Sequence, residues 1–318
     1  MKYLINNSTD PYFNMALDEF CLENIVRDEP YFYLWRNRPS VIIGLNQNAY
    51  SEVNLPYLES HGISLVRRVT GGGAVYHDLQ NMNYTIIGKA PSPQPMVDAL
   101  RELGVTAELT GRNDIFVEGR KVSGYARRVS GSQEIIHGTL MYDVDLDTLT
   151  KVLDTPTSKL QAKGIGSVRS RVANLKEYLP GFSSLDELQA ALQQILADGD
   201  GIIELSEEQL SEVRRIAGEK FSTWDFIYGR SRETGFVRMA KLPCGTVEAS
   251  ISLDHGLITD ISFTGDFLFD KPVTELAVLL TGCRYERSAV ANRLEQTDVA
   301  SHFKGATKDD LLDALFLL

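Results

Sequence analysis

"NDIFVEGRKVSGYARR", Asn113 to Arg128, holds two short runs of strand-forming residues on either side of Glu118-Gly119, a step that suits a tight hairpin turn. The stretch decides the fold class because it belongs to a series of strands with little helix between them. "NYTIIG" and "VTAEL" precede it and "IIHGTLMYDV" follows, while the strong helical pattern among them is "PMVDALRELG". Strands that succeed one another without alternating helices predict a mixed β-sheet in an α+β fold, not a doubly wound parallel one.

Toward the N-terminus, "YFYLWR" and "SVIIGL" are apolar runs separated by "NRP" and read as paired strands, with "GISLVRRV" completing a three-stranded start. Ahead of them, "FNMALDEFCLENIVRD" places Phe13, Leu17, Phe20, Cys21 and Ile25 on one helical face, which makes Cys21 a core residue. Beyond Asp145 the pattern turns helical. "SLDELQAALQQILAD" and "SEEQLSEVRRIAGEKF" open with Ser184 and Glu187, and with Ser206 and Gln209, both pairs of capping-box form. From about Trp224 the chain restarts: Val247, Ala249, Ile251 and Leu253 alternate in one strand, and Leu257, Ile261 and Phe263 in the next, across a His255-Gly256 turn. Helices at "VTELAVLL", "SAVANRLEQ" and "DDLLDALFLL" follow. The expected division is a large domain, 1–240, and a small α+β domain, 241–318.

With 318 residues and 43% hydrophobic content, the chain can bury a sizeable core. It contains no run of the roughly 18 apolar residues that a membrane span needs, and its N-terminal stretch has no apolar signal-peptide core. A cytoplasmic protein with no membrane contact is therefore expected. Cys21, Cys244 and Cys283 lack C-x-x-C spacing, which argues against a disulfide framework or a zinc site. The net charge of −11 disfavours nucleic acid as a partner, yet 67–78, 111–128 and 163–176 carry +1, +3 and +4 and leave −19 for the remainder. Concentrated basic segments in an acidic chain point to a small anionic ligand.

Three of these segments can carry chemistry. "RRVTGGGAVYHD", Arg67 to Asp78, sets three glycines beside two arginines; glycines let successive N–H groups approach one anion, although the same run also fits a sheet bulge. It matches neither standard nucleotide-binding glycine motif. Lys121 lies in a strand that otherwise pairs apolar residues, so it either snorkels outward or meets an enclosed anion, and the glycine in "KVSG" leaves room above the strand. "KGIGSVRSRVANL" has the composition of a basic loop able to close over a nucleotide, or of a solvated surface loop. His77 and His137 read as ligand-orienting or structural groups ahead of general bases, and Trp35 as a core residue ahead of a wall of a binding tunnel.

Taken in order, "RRVTGGGAVYHD", "GRND", "RKVSG", "HGTL" and "KGIGSVRSRVANL" resemble the lipoate-protein ligase A family. The likeness extends over nearly the whole chain, through "YFNMALDEF" and "LWRNRPSVIIGLNQN" before the glycines and "TGCRY" in the last domain. The resemblance implies an α+β catalytic core related to biotin-protein ligases, with 1–240 binding lipoate and ATP and 241–318 an accessory C-terminal domain. It implies two steps, in which (R)-lipoate and ATP give lipoyl-adenylate and pyrophosphate, and an acceptor lysine then displaces AMP.

Residue by residue, the resemblance assigns Arg68, Gly73, Ala74, Val75, Tyr76 and Lys121 to ATP, and Lys121, Val75 and His77 to lipoate. Lys121 is its catalytic residue; Lys163, Ser167 and Arg169 would belong to an adenylate loop. Asn113 and Asp114 would hold Mg²⁺, with a structural carboxylate–arginine pair the alternative reading of Asp114. Its implied partners are lipoyl domains of 2-oxoacid dehydrogenase E2 subunits, or the glycine-cleavage H protein, with the ligase acting as a monomer. Two other readings remain. A lipoyl or octanoyl transferase working through a cysteine thioester needs a thiol in the acyl site, and a non-catalytic lipoate or nucleotide binder would be expected to lack Lys121 or the basic loop.

Overall fold

The computed structural model describes residues 1–110, 113–153, 171–197, 199, 201–231 and 234–316. These form two compact units, Met1–Gln47 with Glu52–Thr223, and Asn48–Ser51 with Trp224–Leu318. The architecture is α+β, as the unalternated strands predict.

The first unit is built on an eight-stranded mixed sheet. From one edge to the other its strands are Ile202–Ile203, Lys2–Leu4, Tyr31–Arg36, Asn81–Gly88, Gln133–Met141, Arg120–Ser130, Asp114–Val117 and Ala107–Thr110. The first three run parallel and the pairings from Tyr31–Arg36 onward are antiparallel. Side chains alternate across such a sheet. Phe32, Leu34, Tyr84, Ile86 and Ile136 enter an apolar core with the helices Gln94–Glu102 and Leu185–Leu196. Tyr33, Trp35, Thr85 and His137 alternate with those core residues on their strands, and the hydrogen bonds of Tyr33 and His137 go to Asp18 of helix Pro11–Asn24. That helix starts where Asp10 accepts from the amides of Tyr12 and Phe13 and Pro11 fixes the first turn.

"YFYLWR" and "SVIIGL" do not pair. Tyr31–Arg36 has both edges occupied, by Lys2–Leu4 and Asn81–Gly88, so Ser40–Ile43 instead joins a second, three-stranded sheet between Ser64–Arg67 and Val75–His77. The Glu118-Gly119 turn forms as read, with φ of 49° and 76°.

In the second unit, Thr234–Leu242, Gly245–Asp254 and Leu257–Gly265 form a meander covered by short helices. The boundary expected at 240/241 falls inside this meander, because Thr234–Leu242 is paired residue for residue with Gly245–Asp254; the units divide at Thr223/Trp224. An irregularity at Ser252/Leu253 also displaces the expected alternation, so Leu257 is exposed and Ile258 buried. Ser206 and Gln209 form the full capping box, whereas the Glu187 carboxylate passes Ser184 and reaches the amide and hydroxyl of Ser183.

Gly138 lies opposite Tyr84 in the large sheet, and the Tyr84 ring covers it so closely that a Cβ there would sit 2.5 Å from the ring. Neither strand can retreat within a fully paired sheet. Gly138→Ala is therefore expected to lower stability by about 2 kcal/mol, read as a reduced urea midpoint with an unchanged slope.

Candidate active site

A cavity of about 140 Å³ opens between the large sheet and the three-stranded one, lined within the first unit. Four neighbouring strands of the large sheet supply one wall: Lys121, Gly124, Tyr125 and Ala126; His137 and Gly138; Asn83; and Trp35. Ile42, Val75 and His77 of the smaller sheet and the glycine turn face them, with Met15 from the N-terminal helix. The cavity thus has a basic group and a glycine-bearing turn in its wall together with apolar and aromatic surface, the make-up of a site for a ligand with an anionic head and an apolar tail.

Lys121 reaches this wall through a bulge. Phe116 pairs with Lys121 and Ile115 with Ser123, so Val122 is the extra residue on its strand and is buried in the core. Lys121 and Gly124 consequently share the cavity face. A Cβ on Gly124 would lie 2.8 Å from the lysine Nζ, so the missing side chain is what lets the lysine lie across its own strand. The ammonium pairs with Asp114 Oδ1 at 2.7 Å, and the Lys121 side chain remains 36% exposed. The Lys121 carbonyl accepts from the Ala173 amide at 2.9 Å, which brings the end of the basic stretch 163–176 alongside it. Lys163, Ser167 and Arg169 lie outside the described residues.

The two arginines of the glycine motif are both buried and directed at backbone carbonyls, and Arg68 also lines the cavity. Arg67 Nη1 donates to Gly44, Leu45 and Gln47. Arg68 Nε is shared by Thr70 Oγ1 at 3.0 Å and the Gly71 carbonyl at 3.2 Å; Nη1 donates to Ile42, and Nη2 to Gly71 and Gly73. Burial pushes the Arg68 pKa down to about 10, which leaves it charged at neutral pH. The glycine turn is therefore wrapped around a cation. Gly72 adopts φ of 97°, while the positions of Gly71 and Gly73 face open space.

Val75 and His77 point into the cavity and Tyr76, between them, does not; its ring is buried on the opposite side of the strand. Gly73 and Ala74 line the cavity. Asn113 lines it too, with its Nδ2 given to the Tyr125 carbonyl at 2.6 Å, and Asp114 partners Lys121 rather than an arginine. Trp35, read as a core residue, is a cavity wall. Met15, Asn83 and Thr139 also line it and were not singled out from the sequence. None of the three cysteines does; all are buried, and burial raises each thiol pKa.

His77 ends a directed chain of amides. Asn6 Nδ2 donates to Asn14, Asn14 Nδ2 to Asn37, and Asn37 Nδ2 to His77 Nδ1 at 3.0 Å. The ring proton then sits on Nε2, which is buried with no partner among the described residues. Burial, then the Arg68 charge and the His137 ring, push the His77 pKa from 6.5 down to about 3. The ring is neutral at working pH and offers a donor to the cavity.

The sequence falls into two matches to family models: the lipoyl protein ligase A/B catalytic domain over residues 10–197, and the bacterial lipoate protein ligase C-terminus over 231–315. The chain belongs to the lipoate-protein ligases. It is 37% identical to the lipoate-protein ligase LplJ of Bacillus subtilis, over 98% of both chains, and 36% identical to lipoate–protein ligase 1 of Staphylococcus aureus, over 98% of this chain and 99% of that one. Among solved structures it resembles the bipartite lipoate protein ligase of Thermoplasma acidophilum, studied with its E2 lipoyl domain (TM-score 0.64, 30% identity), over 73% of this chain and 97% of that one. A lipoate-protein ligase A bound with ATP matches with a TM-score of 0.61 at 29% identity, over 72% and 98%.

The depressed His77 pKa makes stability fall with acid. A folded-state value below the unfolded one means that the unfolded chain binds the proton first, so stability is full above pH 6.5 and is lost as pH falls toward 3. Between pH 7 and pH 5 this one group is expected to cost about 2 kcal/mol. His77→Gln should flatten that part of the pH dependence, measured by urea unfolding at the two pH values.

Proposed function

We propose that this protein activates lipoate with ATP to enzyme-held lipoyl-adenylate and then transfers the lipoyl group to an acceptor lysine. The observation that carries the reading is the shared wall of one cavity: the Lys121 ammonium, the Gly73–Ala74 backbone and an apolar tail region, with no thiol. In the first step a lipoate carboxylate oxygen attacks the α-phosphorus, the bond to the bridging oxygen breaks and pyrophosphate leaves. In the second the acceptor amine, having lost a proton, attacks the acyl carbon and AMP leaves. Both steps build charge on phosphate and carbonyl oxygens, and a compact ammonium with three donors can serve both. Asp114 keeps that ammonium over Gly124. The Nε2–H of His77 is a donor for the bound acyl compound, and Trp35, Met15, Ile42 and Val75 pack its tail.

Relatives in solved structures support the substrates: the Thermoplasma protein carries lipoic acid in one structure, and another ligase carries ATP. Among the described residues no three His, Cys, Asp or Glu side chains cluster for a metal. The donors present, the Asn113 amide oxygen and the Asp114 carboxylate, fit a Mg²⁺ held chiefly by nucleotide phosphates and water. The ion would neutralise phosphate charge. In the same reading Lys163, Ser167 and Arg169 cover the nucleotide, the acceptor is a lipoyl domain of an E2 subunit or the H protein, and the ligase acts as a cytoplasmic monomer.

Lipoate-dependent exchange of pyrophosphate into ATP tests the reading. The wild type is expected to exchange, Lys121→Ala to lose at least a hundredfold of that rate, and the variant with all three cysteines changed to alanine to retain it. Acyl transfer without exchange, dependent on a cysteine, would instead establish the thioester route. Gly124→Ala, which drives a methyl group against Nζ, should lower exchange about tenfold with little change in thermal midpoint.

A further inference from the structure

Behind the cavity, a buried carboxylate that does not line it is connected to the glycine turn. Asp18, on helix Pro11–Asn24, is 1% exposed. Its Oδ2 lies 2.6 Å from His137 Nδ1, His137 Nε2 lies 2.7 Å from Thr70 Oγ1, and Thr70 Oγ1 lies 3.0 Å from Arg68 Nε. The other carboxylate oxygen accepts from the Tyr33 hydroxyl and from Thr85 Oγ1.

One arrangement with a single ring proton satisfies both ends. A guanidinium Nε can only donate, so Thr70 Oγ1 accepts there; with the ring proton on Nδ1 given to Asp18, Nε2 accepts the hydroxyl proton of Thr70. Asp18 already accepts from two hydroxyls. Moving the ring proton to Nε2 would set the Nδ1 lone pair against the Asp18 carboxylate in a dry site, which is costly. Arg68 in turn holds the carbonyls of Gly71 and Gly73. The orientation of the glycine turn is thus referred back, through three side chains, to the N-terminal helix, which packs on the same face of the sheet as the cavity. Simple packing needs none of this, since a buried carboxylate is a poor source of stability compared with apolar residues of the same size.

We propose that Asp18, His137 and Thr70 are positioning residues of the ligase, a one-way hydrogen-bond chain that sets Arg68 and the glycine turn for reaction with ATP. The inference rests on the adenylation reading above. Asp18 and Thr70 do not touch each other, so energetic coupling between them must travel through His137.

A double-variant cycle read by pyrophosphate exchange tests the chain. Thr70→Val and Asp18→Asn are each expected to lower kcat/KM for ATP by about tenfold, and Thr70→Ser to restore it. With the chain already cut at Thr70, the change at Asp18 has nothing to act through, so the double variant should be no more impaired than the worse single variant. Thr70→Val should leave the dissociation constant for lipoate alone within twofold, which general damage to the cavity would not. If Asp18→Asn does not fold, His137→Asn takes its place in the cycle. Losses that multiply in the double variant, or a Thr70→Val enzyme equal to wild type, would overturn the chain. A folded wild type without any lipoate-dependent exchange would overturn the adenylation reading itself.

Discussion

The Arg68 guanidinium lies under the glycine turn with its charge withdrawn from water, and a charge so placed must be solvated by protein dipoles or expelled. Here the dipoles are the carbonyls of Ile42, Gly71 and Gly73 and one hydroxyl. Unfolding the turn would strip these from the cation, so the turn keeps its shape without a ligand. The same turn lines the cavity through Gly72, Gly73 and Ala74. The arginine thus holds the shape of a loop that forms part of the cavity wall.

The large sheet divides its labour by face. One face is apolar and packs two helices; the other carries Tyr33, Trp35, Thr85 and His137, whose polar atoms are joined to one another, to Asp18 or to Thr70. The polar face is as dry as the apolar one. Its groups are tolerated because each has a partner of the opposite kind, and the same satisfaction makes their positions rigid. A cavity wall assembled from such a face has little freedom to rearrange around its ligand.

Much of this was legible in the sequence. Unalternated strands gave the α+β class, the Glu118-Gly119 step gave the hairpin, and the glycine after Lys121 marked where the lysine would lie. Pairing was not legible for "YFYLWR" and "SVIIGL", since a strand buried on both faces shows no alternation and its edges are claimed by segments distant in sequence. The unit boundary was misplaced because a meander's first strand reads like the strands before it. Composition likewise registers the charges of Arg67 and Arg68 but not the carbonyls that surround them. Asn14 and Asp18 stand four apart and next to Cys21 on the buried side of the first helix, and polar residues on such a face announce a network.

The extra residue at Val122 has a consequence for how this site can vary. In an unbroken strand, positions an odd number apart look in opposite directions, so a lysine and the glycine three places on could never face one ligand. The bulge inverts that parity once, between them. The spacing of lysine and glycine is therefore locked to the presence of the irregularity: straightening the strand without losing a residue would turn one of the two toward the apolar core, whereas deleting Val122 would restore a regular ladder with both still on the cavity side. The three-residue spacing and the bulge stand or fall together, a property that the identities of the residues lining the cavity do not reveal.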